Sequence, residues 1–371
     1  MRHRHRSWLA AFLALAAAGA AQAQGEDLTV LPPPSDEYQP EQTPWGEPDF
    51  RGGWPIDHLN GRTPLQRVPA QGNRQLLTPE EYAARAETVE QLEQRYQNED
   101  QSDTMGIGHW AEVAAANRRT SWITSPADGQ LPAYTPEGQR RSDAMRSTWV
   151  QGQPFDSWTD FDSWDRCISR GLPASMFPFM YNNGMRIFQA PGVVAIQMEM
   201  VHETRIIPTN GSAPVPAQVQ NWLGESRGRW EDQNTLLVET TNFLPGPSAT
   251  NIGTTGSPRD NRTPVSEQAR MVERFHMVGP DEIIYEFTWE DPVVFEEPWS
   301  ARLEWQRDDD YGMFEYACHE GNVQIRNFIT ASRAERAQAA SAEGATPVQP
   351  QAQAGAQAQA QAQGGRQEAS R

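Results

Sequence analysis

Apolar and polar residues alternate most regularly in the segment 282–290, EIIYEFTWE. Ile283, Tyr285, Phe287 and Trp289 occupy every second position and form one apolar row, while the positions between them are mostly polar. Because successive side chains of a strand point to opposite faces, this pattern predicts a strand with one face in the core and the other in solvent.

Similar short runs recur along the second half of the chain and are separated by turn sequences such as APG, PTNG and VGPDE. Short, regularly spaced strands of this kind are typical of antiparallel sandwiches and barrels. We predict a mainly β protein and favour a calycin-like antiparallel β-barrel over an open sandwich. The predicted strands are Met185–Gln189, Val193–Ile207, Thr235–Phe243, Ala269–Met277, Glu282–Trp289, Ala301–Gln306 and Met313–His319.

The amino-terminal half has a different pattern. Residues 45–160 are irregular and rich in Pro, Gly and Trp, with one predicted helix at about 78–97. Thr78 is placed to cap that helix, Pro79 to occupy its first position and Glu81 to close a capping box. We expect this segment to wrap around the barrel domain, which we assign to residues 161–330.

The two ends of the chain do not have the composition of a folded domain. Residues 1–23 have the basic start, short apolar run and small-residue site of a signal peptide, which predicts cleavage after Ala23 and a periplasmic or secreted product. Residues 24–44 are predicted to be extended, and the low-complexity residues 331–371 to form a disordered tail. No later apolar run is long enough to span a bilayer, so no stable membrane insertion is expected.

Composition excludes several classes of partner and chemistry. The formal net charge is −18, so a basic footprint for nucleic acid is absent. All 31 basic residues are arginines, which removes the lysine of Schiff-base catalysis and of phosphate-binding loops. No cofactor motif was found, and the expected partner is a small molecule.

Several longer motifs together resemble a large family of exported, uncharacterised bacterial proteins. They are WDRCISRGLP at 164–173, YNNGMRIFQAPG at 181–192, WLGESRGRWEDQN at 222–234 and ACHEGN at 317–322. The resemblance extends from about Pro44 to Phe328. It implies an exported protein and assigns no activity.

The two cysteines, Cys167 and Cys318, are predicted to form a disulfide, since an even pair in an exported protein is most simply a bridge. It would join the start of the barrel domain to its last strand. Closing a loop of about 150 residues stabilises the fold by on the order of 5 kcal/mol in the chain-entropy model.

Histidines and carboxylates are the candidate catalytic groups. If Val193–Ile207 is one strand, His202 ends an apolar row, and Glu199, Glu203 and Arg205 lie on the opposite face. The candidate acid–base residues are His202, His319, Glu203 and Glu239. Two histidines and one acid could also bind a metal, but no H-x-H or H-E-x-x-H spacing supports this, and no metal site is predicted.

Other polar and aromatic side chains are expected to line the cavity of the barrel. His319 and Glu320 must point to opposite faces of the last predicted strand, and which of them faces the cavity is left open. The candidate ligand-binding residues are Tyr181, Glu199, Arg205, Arg227, Trp230, Glu273, Glu286, Trp289 and Glu320.

The sequence GESRG at 224–228 matches the G-x-S-x-G pattern of a nucleophilic serine, with Ser226 at its centre. That mechanism needs a strand, a sharp turn and then a helix. Here the pattern is followed by a turn and a strand, so we interpret it as a glycine-rich turn.

These observations favour an exported protein that binds a small, partly hydrophobic molecule in a β-barrel cavity. The alternative is a cofactor-free hydrolase, lyase or isomerase that uses a His/Glu acid–base pair in the same cavity. Glu273 and Glu286 are further candidates for its carboxylate. A structural envelope protein is a third hypothesis, and the oligomeric state is left open.

Overall fold

A computed structural model describes residues 26–102, 106–148, 150, 152–250 and 262–343. The predicted signal peptide lies outside the described residues. Among these residues, no helix combines the length and the apolar character that crossing a membrane requires. The strands are β1 Gly52–Gly53, β2 Ile123–Ser125, β3 Met185–Ala190, β4 Val193–Met198, β5 Thr204–Pro208, β6 Glu225–Trp230, β7 Thr235–Thr241, β8 Gly246–Thr250, β9 Thr263–Val265, β10 Arg270–Gly279, β11 Glu282–Glu290 and β12 Trp299–Gln306.

The prediction of a mainly β, antiparallel fold is confirmed. One sheet has the order β1-β3-β4-β5, and a larger one has the order β2-β12-β11-β10-β7-β6. Strands β8 and β9 form a separate pair. The pairings among the described strands form two open sheets and do not close into a ring.

The core lies between the inner faces of the two large sheets. The apolar row predicted in β11 is buried, with Ile283, Tyr285, Phe287 and Trp289 at most 2% exposed. Antiparallel pairing places Tyr285 beside Phe275 of β10 and Leu303 of β12. Aromatic rings from these strands therefore occupy much of the space between the sheets, and they include Trp299 and Trp305.

The predicted strand Val193–Ile207 is wrong, because the chain turns back within it. Strand β4 ends at Met198, residues 199–203 form a tight turn, and β5 pairs antiparallel with β4. The turn contains no Gly, Pro or Asn, so the sequence carries no turn signal there. Alternation read across the turn consequently placed His202 in the apolar row of β4, which it does not join.

The predicted last strand, Met313–His319, is also wrong. Residues 312–317 follow β12 without regular structure, and a turn at 318–321 leads into helix α3, Gln324–Glu343. The first residues of the segment assigned to a disordered tail, 331–343, are thus helical. The rest of that tail lies outside the described residues.

The amino-terminal half contains helix α1, Pro79–Gln101, and helix α2, Pro136–Ala144. α1 begins with the predicted capping box, in which the Thr78 and Glu81 side chains each accept a backbone N–H. The extended segment before β1 crosses the outer face of the larger sheet. There the Pro32 carbonyl oxygen accepts a hydrogen bond from Arg302 at 2.6 Å.

Candidate functional site

Four irregular segments meet at the end of the smaller sheet where β3 begins, β4 ends and β5 begins. They are residues 164–171, 179–184, 199–203 and 311–322. The predicted disulfide is confirmed and ties the first to the last, with 5.6 Å between the Cα atoms of Cys167 and Cys318. The motifs WDRCISR, YNNG, MVHE and ACHEGN therefore lie together, although they are far apart in sequence.

The turn between β4 and β5 has an unusual backbone. Val201 and His202 have φ angles of 59° and 46°, in the left-handed region that a β-branched residue rarely adopts. Such conformations cost about 1–3 kcal/mol each and persist where surrounding contacts enforce them. Here the side chains of Met200 and Val201 are buried against Phe179, which holds the turn in place.

Aromatic rings surround Arg170 beside this turn. Its guanidinium carbon lies 5.4 Å from the ring centre of Trp164 and 5.0 Å from that of Phe179. Tyr181 packs edge-on against Phe179 at 5.0 Å, and Tyr316 lies nearly parallel to Tyr181 at 6.5 Å. We call Arg170 and these four aromatic residues the Arg170 cage.

The charge of Arg170 has no direct partner among the described residues. The side chain is 2% exposed and makes no hydrogen bond or ion pair, and its Nε and Nη2 atoms are buried. Desolvation lowers the pKa of Arg170 to about 10, and its surroundings include the side chains of Tyr181, Tyr316 and Glu203. An unpaired buried guanidinium is costly, so this residue stands out from the surface arginines.

Glu203, the last residue of the strained turn, is the carboxyl group whose charge acts on Arg170. Its Oε2 accepts a hydrogen bond from Ser169 Oγ at 2.9 Å rather than from Arg170. Burial raises the pKa of Glu203 to about 7, although Ser169 and the two arginines Arg170 and Arg205 favour the charged form. A carboxyl group that titrates near neutral pH is suited to proton exchange with a bound molecule.

A pair of carboxyl groups, those of Glu112 and Glu199, fixes the segment that follows β12. Tyr311 Oη lies 3.0 Å from Glu112 Oε1 and 3.0 Å from Glu199 Oε2. Glu199 also accepts the N–H of Gly184 at 2.9 Å and that of Phe314 at 2.8 Å. The acid pair therefore binds the YNNG loop and the segment at 311–314 to one point.

The hydroxyl group of Tyr311 has one proton and contacts both carboxyl groups of the acid pair. Burial raises the pKa of Glu112, and the negative charge of Glu199 adds to the effect. Burial and both carboxylates also raise the pKa of Tyr311.

On the other flank of the disulfide lies a surface cleft of about 350 Å³. Its lining is half apolar, from Trp158, Ile168 and Ile325, and half polar, from Arg166, His319 and Asn322. Trp158 is 60% exposed and lies 5.4 Å from the guanidinium carbon of Arg166. Asn322 Nδ2 contacts the disulfide at Cys167 Sγ, 3.1 Å away.

The two predicted catalytic histidines lie in different surroundings. His202 is exposed, and its Nδ1 lies 3.1 Å from the carbonyl oxygen of Tyr316. His319 is exposed and lines the cleft. Among the described residues, no hydrogen bond joins either ring to a carboxylate. The same residues contain no cluster of metal-binding side chains.

Arg205 and Glu273 are brought together in the core instead of lining a cavity. Arg205 Nη1 and Nη2 donate to the two oxygens of Glu273 at 2.8 Å and 2.6 Å, and both residues are buried. Ser226 and Thr240 contact Arg205, and Tyr285 donates to Glu273 at 2.9 Å. Ser226 lies within β6 and is 6% exposed, so it does not have the geometry of a nucleophile.

The remaining predicted residues lie apart from the Arg170 cage and the cleft. Glu239 is on the outer face of β7, where a bidentate bond to Arg270 lowers its pKa. Trp289 is in the core, and Glu286 is partly exposed on the opposite face of β11. Arg227 pairs with the neighbouring Glu225, Trp230 packs edge-on against Phe50 at 5.2 Å, and Glu320 is exposed in the turn before α3.

Sequence reasoning found Tyr181, Glu199, Glu203, His202 and His319 in this region. It missed Arg170, Glu112, Tyr311 and Tyr316, which no spacing rule distinguishes from other polar and aromatic residues. Arg170 has one signal in the sequence, its position three residues after Cys167 in the motif WDRCISRGLP.

Comparisons with protein-family models, with curated proteins and with solved structures find no match to this chain.

Proposed function

We propose that this protein is exported and binds a small, partly hydrophobic molecule in the cleft beside the disulfide. The observation that carries the proposal is the mixed lining of that cleft, about 350 Å³ in volume. Ligand pockets of about 300–1,000 Å³ combine apolar walls with a few convergent polar groups. The cleft therefore replaces the interior of a barrel as the proposed location.

Exposed Trp158 supports this proposal, because a large aromatic ring at 60% exposure is available for stacking on a ligand. Arg166 supplies positive charge to the same lining, 5.4 Å from the Trp158 ring, and His319 and Asn322 supply further polar groups. A molecule with an apolar body and an acceptor or anionic group would use both halves.

Export is supported by the disulfide between Cys167 and Cys318, since such bonds persist mainly in oxidising compartments. A periplasmic or secreted location, with a signal peptide removed after Ala23, is our proposal for this chain. We also infer that the two sheets are halves of a calycin-like barrel. In support, Arg205 of β5 contacts Ser226 of β6 at 3.1 Å, so edge strands of the two sheets are adjacent.

Titration with 1-anilinonaphthalene-8-sulfonate, an amphiphilic anion that fluoresces in apolar surroundings, tests the proposed cleft. We expect saturable binding of the dye. Its affinity should fall about 10-fold in Trp158→Ala, because stacking of a flat aromatic group, such as a nucleic-acid base, on one aromatic side chain is worth about 1–3 kcal/mol. Phe188→Ala is the control, since Phe188 is also an exposed aromatic residue, at 49%, and lies outside the cleft. Equal loss in both variants, or no saturable binding, would contradict the proposal.

A further inference from the structure

The Arg170 cage lies outside the cleft and contains two nitrogen atoms that are suited to binding a ligand. Nε and Nη2 of Arg170 are both buried without a hydrogen-bond partner. These two atoms form one edge of the planar guanidinium group, and their N–H bonds point in the same direction. That edge matches the two oxygens of a carboxylate.

Other arginines of this protein show what the edge can bind. Arg270 uses Nε and Nη2 to hold both oxygens of Glu239, each at 3.0 Å. Arg274 holds Glu231 through the same two atoms at 3.0 Å and 3.3 Å. In Arg170 the same two atoms are buried beside aromatic rings and bind no carboxylate of the described residues.

Among the described residues, no carboxyl group is hydrogen-bonded to this edge. Glu203, whose charge acts on Arg170, is held by Ser169 at 2.9 Å and makes no hydrogen bond to Arg170. The ring centres of Trp164 and Phe179 lie 5.4 Å and 5.0 Å from the guanidinium carbon, and the two rings are perpendicular to each other, so they form two adjoining apolar walls around the group. The enclosure thus combines the positively charged edge of the Arg170 guanidinium group with apolar walls.

We propose that the Arg170 cage is a second binding site, which takes the carboxylate of a small monocarboxylic acid on the Nε–Nη2 edge of Arg170. The apolar walls accommodate the hydrocarbon part of the acid. Tyr181 and Tyr316 are partly exposed, so the ligand would enter the enclosure beside these two rings.

The same geometry disfavours phosphate. A phosphate group carries more charge than a carboxylate and is usually bound by several cations or backbone N–H groups. The cage supplies one guanidinium group, and Glu203 faces the same space. A single planar anion fits this charge balance better.

Titration of 13C-labelled acetate, observed by NMR line broadening, tests the second site against acetamide, a neutral molecule of the same shape. We expect saturable acetate binding that is at least about 10-fold tighter than acetamide binding, because two charge-assisted hydrogen bonds are lost with the amide. Arg170→Met should abolish acetate binding. Arg270→Met removes the same kind of edge from a surface ion pair and should leave acetate binding unchanged.

Each other result overturns the proposal. Equal binding of acetate and acetamide, retention of acetate binding in Arg170→Met, or tighter binding of inorganic phosphate would show that the edge does not select a carboxylate. Absence of acetate binding to the unmodified protein would do the same. Dye binding in the cleft should persist in Arg170→Met, which separates a failure of this site from a failure of the cleft.

Discussion

Arg205 and Arg170 are both buried arginines, but the fold treats their charges differently. Arg205 donates to both oxygens of Glu273, at 2.8 Å and 2.6 Å, and contacts two hydroxyl groups. Arg170 makes no hydrogen bond among the described residues and is covered by aromatic rings. The first charge is compensated within the fold, whereas the second is left available for a partner.

The surroundings of the two arginines differ in the same way. Arg205 lies on β5 and Glu273 on β10, so the ion pair connects the inner faces of the two sheets through regular, well-packed strands. Arg170 lies in an irregular segment beside a strained turn and the segment 311–322, which is held by a disulfide. Rigid strands suit a structural ion pair, and loops positioned on a scaffold suit a binding site.

Replacing each arginine by methionine tests this comparison most strongly. Arg205→Met leaves Glu273 buried without its cation, so we expect the free energy of unfolding to fall by about 3–5 kcal/mol. Arg170→Met removes no hydrogen bond and no ion pair, so we expect a change within about 1 kcal/mol. Urea denaturation of both variants, with the disulfide intact, measures the difference.

A double variant provides the control for the ion pair. Removing both charges in Arg205→Met/Glu273→Leu should recover part of the stability lost in Arg205→Met, since an apolar replacement of a buried ion pair is often tolerated. If Arg170→Met proved as destabilising as Arg205→Met, the two arginines would both be structural and the contrast between them would be lost.

The disulfide lies in the region of Arg170 and not in that of Arg205, so its removal should affect the two regions differently. The variant Cys167→Ser/Cys318→Ser should lower the free energy of unfolding by about 2–5 kcal/mol, the range for native disulfides. Because the bond ties residues 164–171 to 311–322, amide hydrogen exchange should accelerate mainly in those segments and in the turn at 199–203. Amides of β10 and β11, next to Glu273, should keep most of their protection. Uniform acceleration across both regions would contradict a local role.

The sequence predicted the regular region better than the irregular one, for a physical reason. Alternation in β11 reports burial of one face directly, and the row from Ile283 to Trp289 was correctly placed. The Arg205–Glu273 pair joins residues 68 positions apart, and no local pattern encodes it. Both residues were selected as polar groups inside a barrel, but each was expected to face a ligand instead of the other.

The region of the Arg170 cage was predicted only in part. The disulfide was predicted from the even number of cysteines and the expected export of the chain alone, and it is confirmed. The turn at 199–203 was missed because packing of Val201, and not a turn-forming residue, stabilises its backbone. Arg170 was missed because its distinguishing property, the absence of a partner, exists only in the folded chain.

The smallest expected effect concerns Glu203 and pH. The pKa of Glu203 is raised by burial from 4.5 to about 7 in the folded protein, so the folded state binds a proton more tightly than the unfolded state. Its contribution to stability is present below about pH 4.5 and is lost as pH rises through about 7. Allowing for the partial exposure of Glu203, we expect this loss to be on the order of 1–2 kcal/mol.

Glu203→Gln should remove that part of the pH dependence, whereas other buried carboxyl groups, among them Glu112 and Asp165, keep theirs.

Acetate binding gives a second measurement of the role of Glu203. Above about pH 7 the ionised Glu203 compensates the charge of Arg170 and repels a second carboxylate, so acetate should bind several-fold more weakly than at about pH 6. The affinity in Glu203→Gln should vary less over this range, because Arg205 stays paired with Glu273 and the ionisable neighbour His202 is exposed, with its ring on the Tyr316 carbonyl oxygen. A pH dependence unchanged by the substitution would mean that another group near the Arg170 cage controls access to its charge.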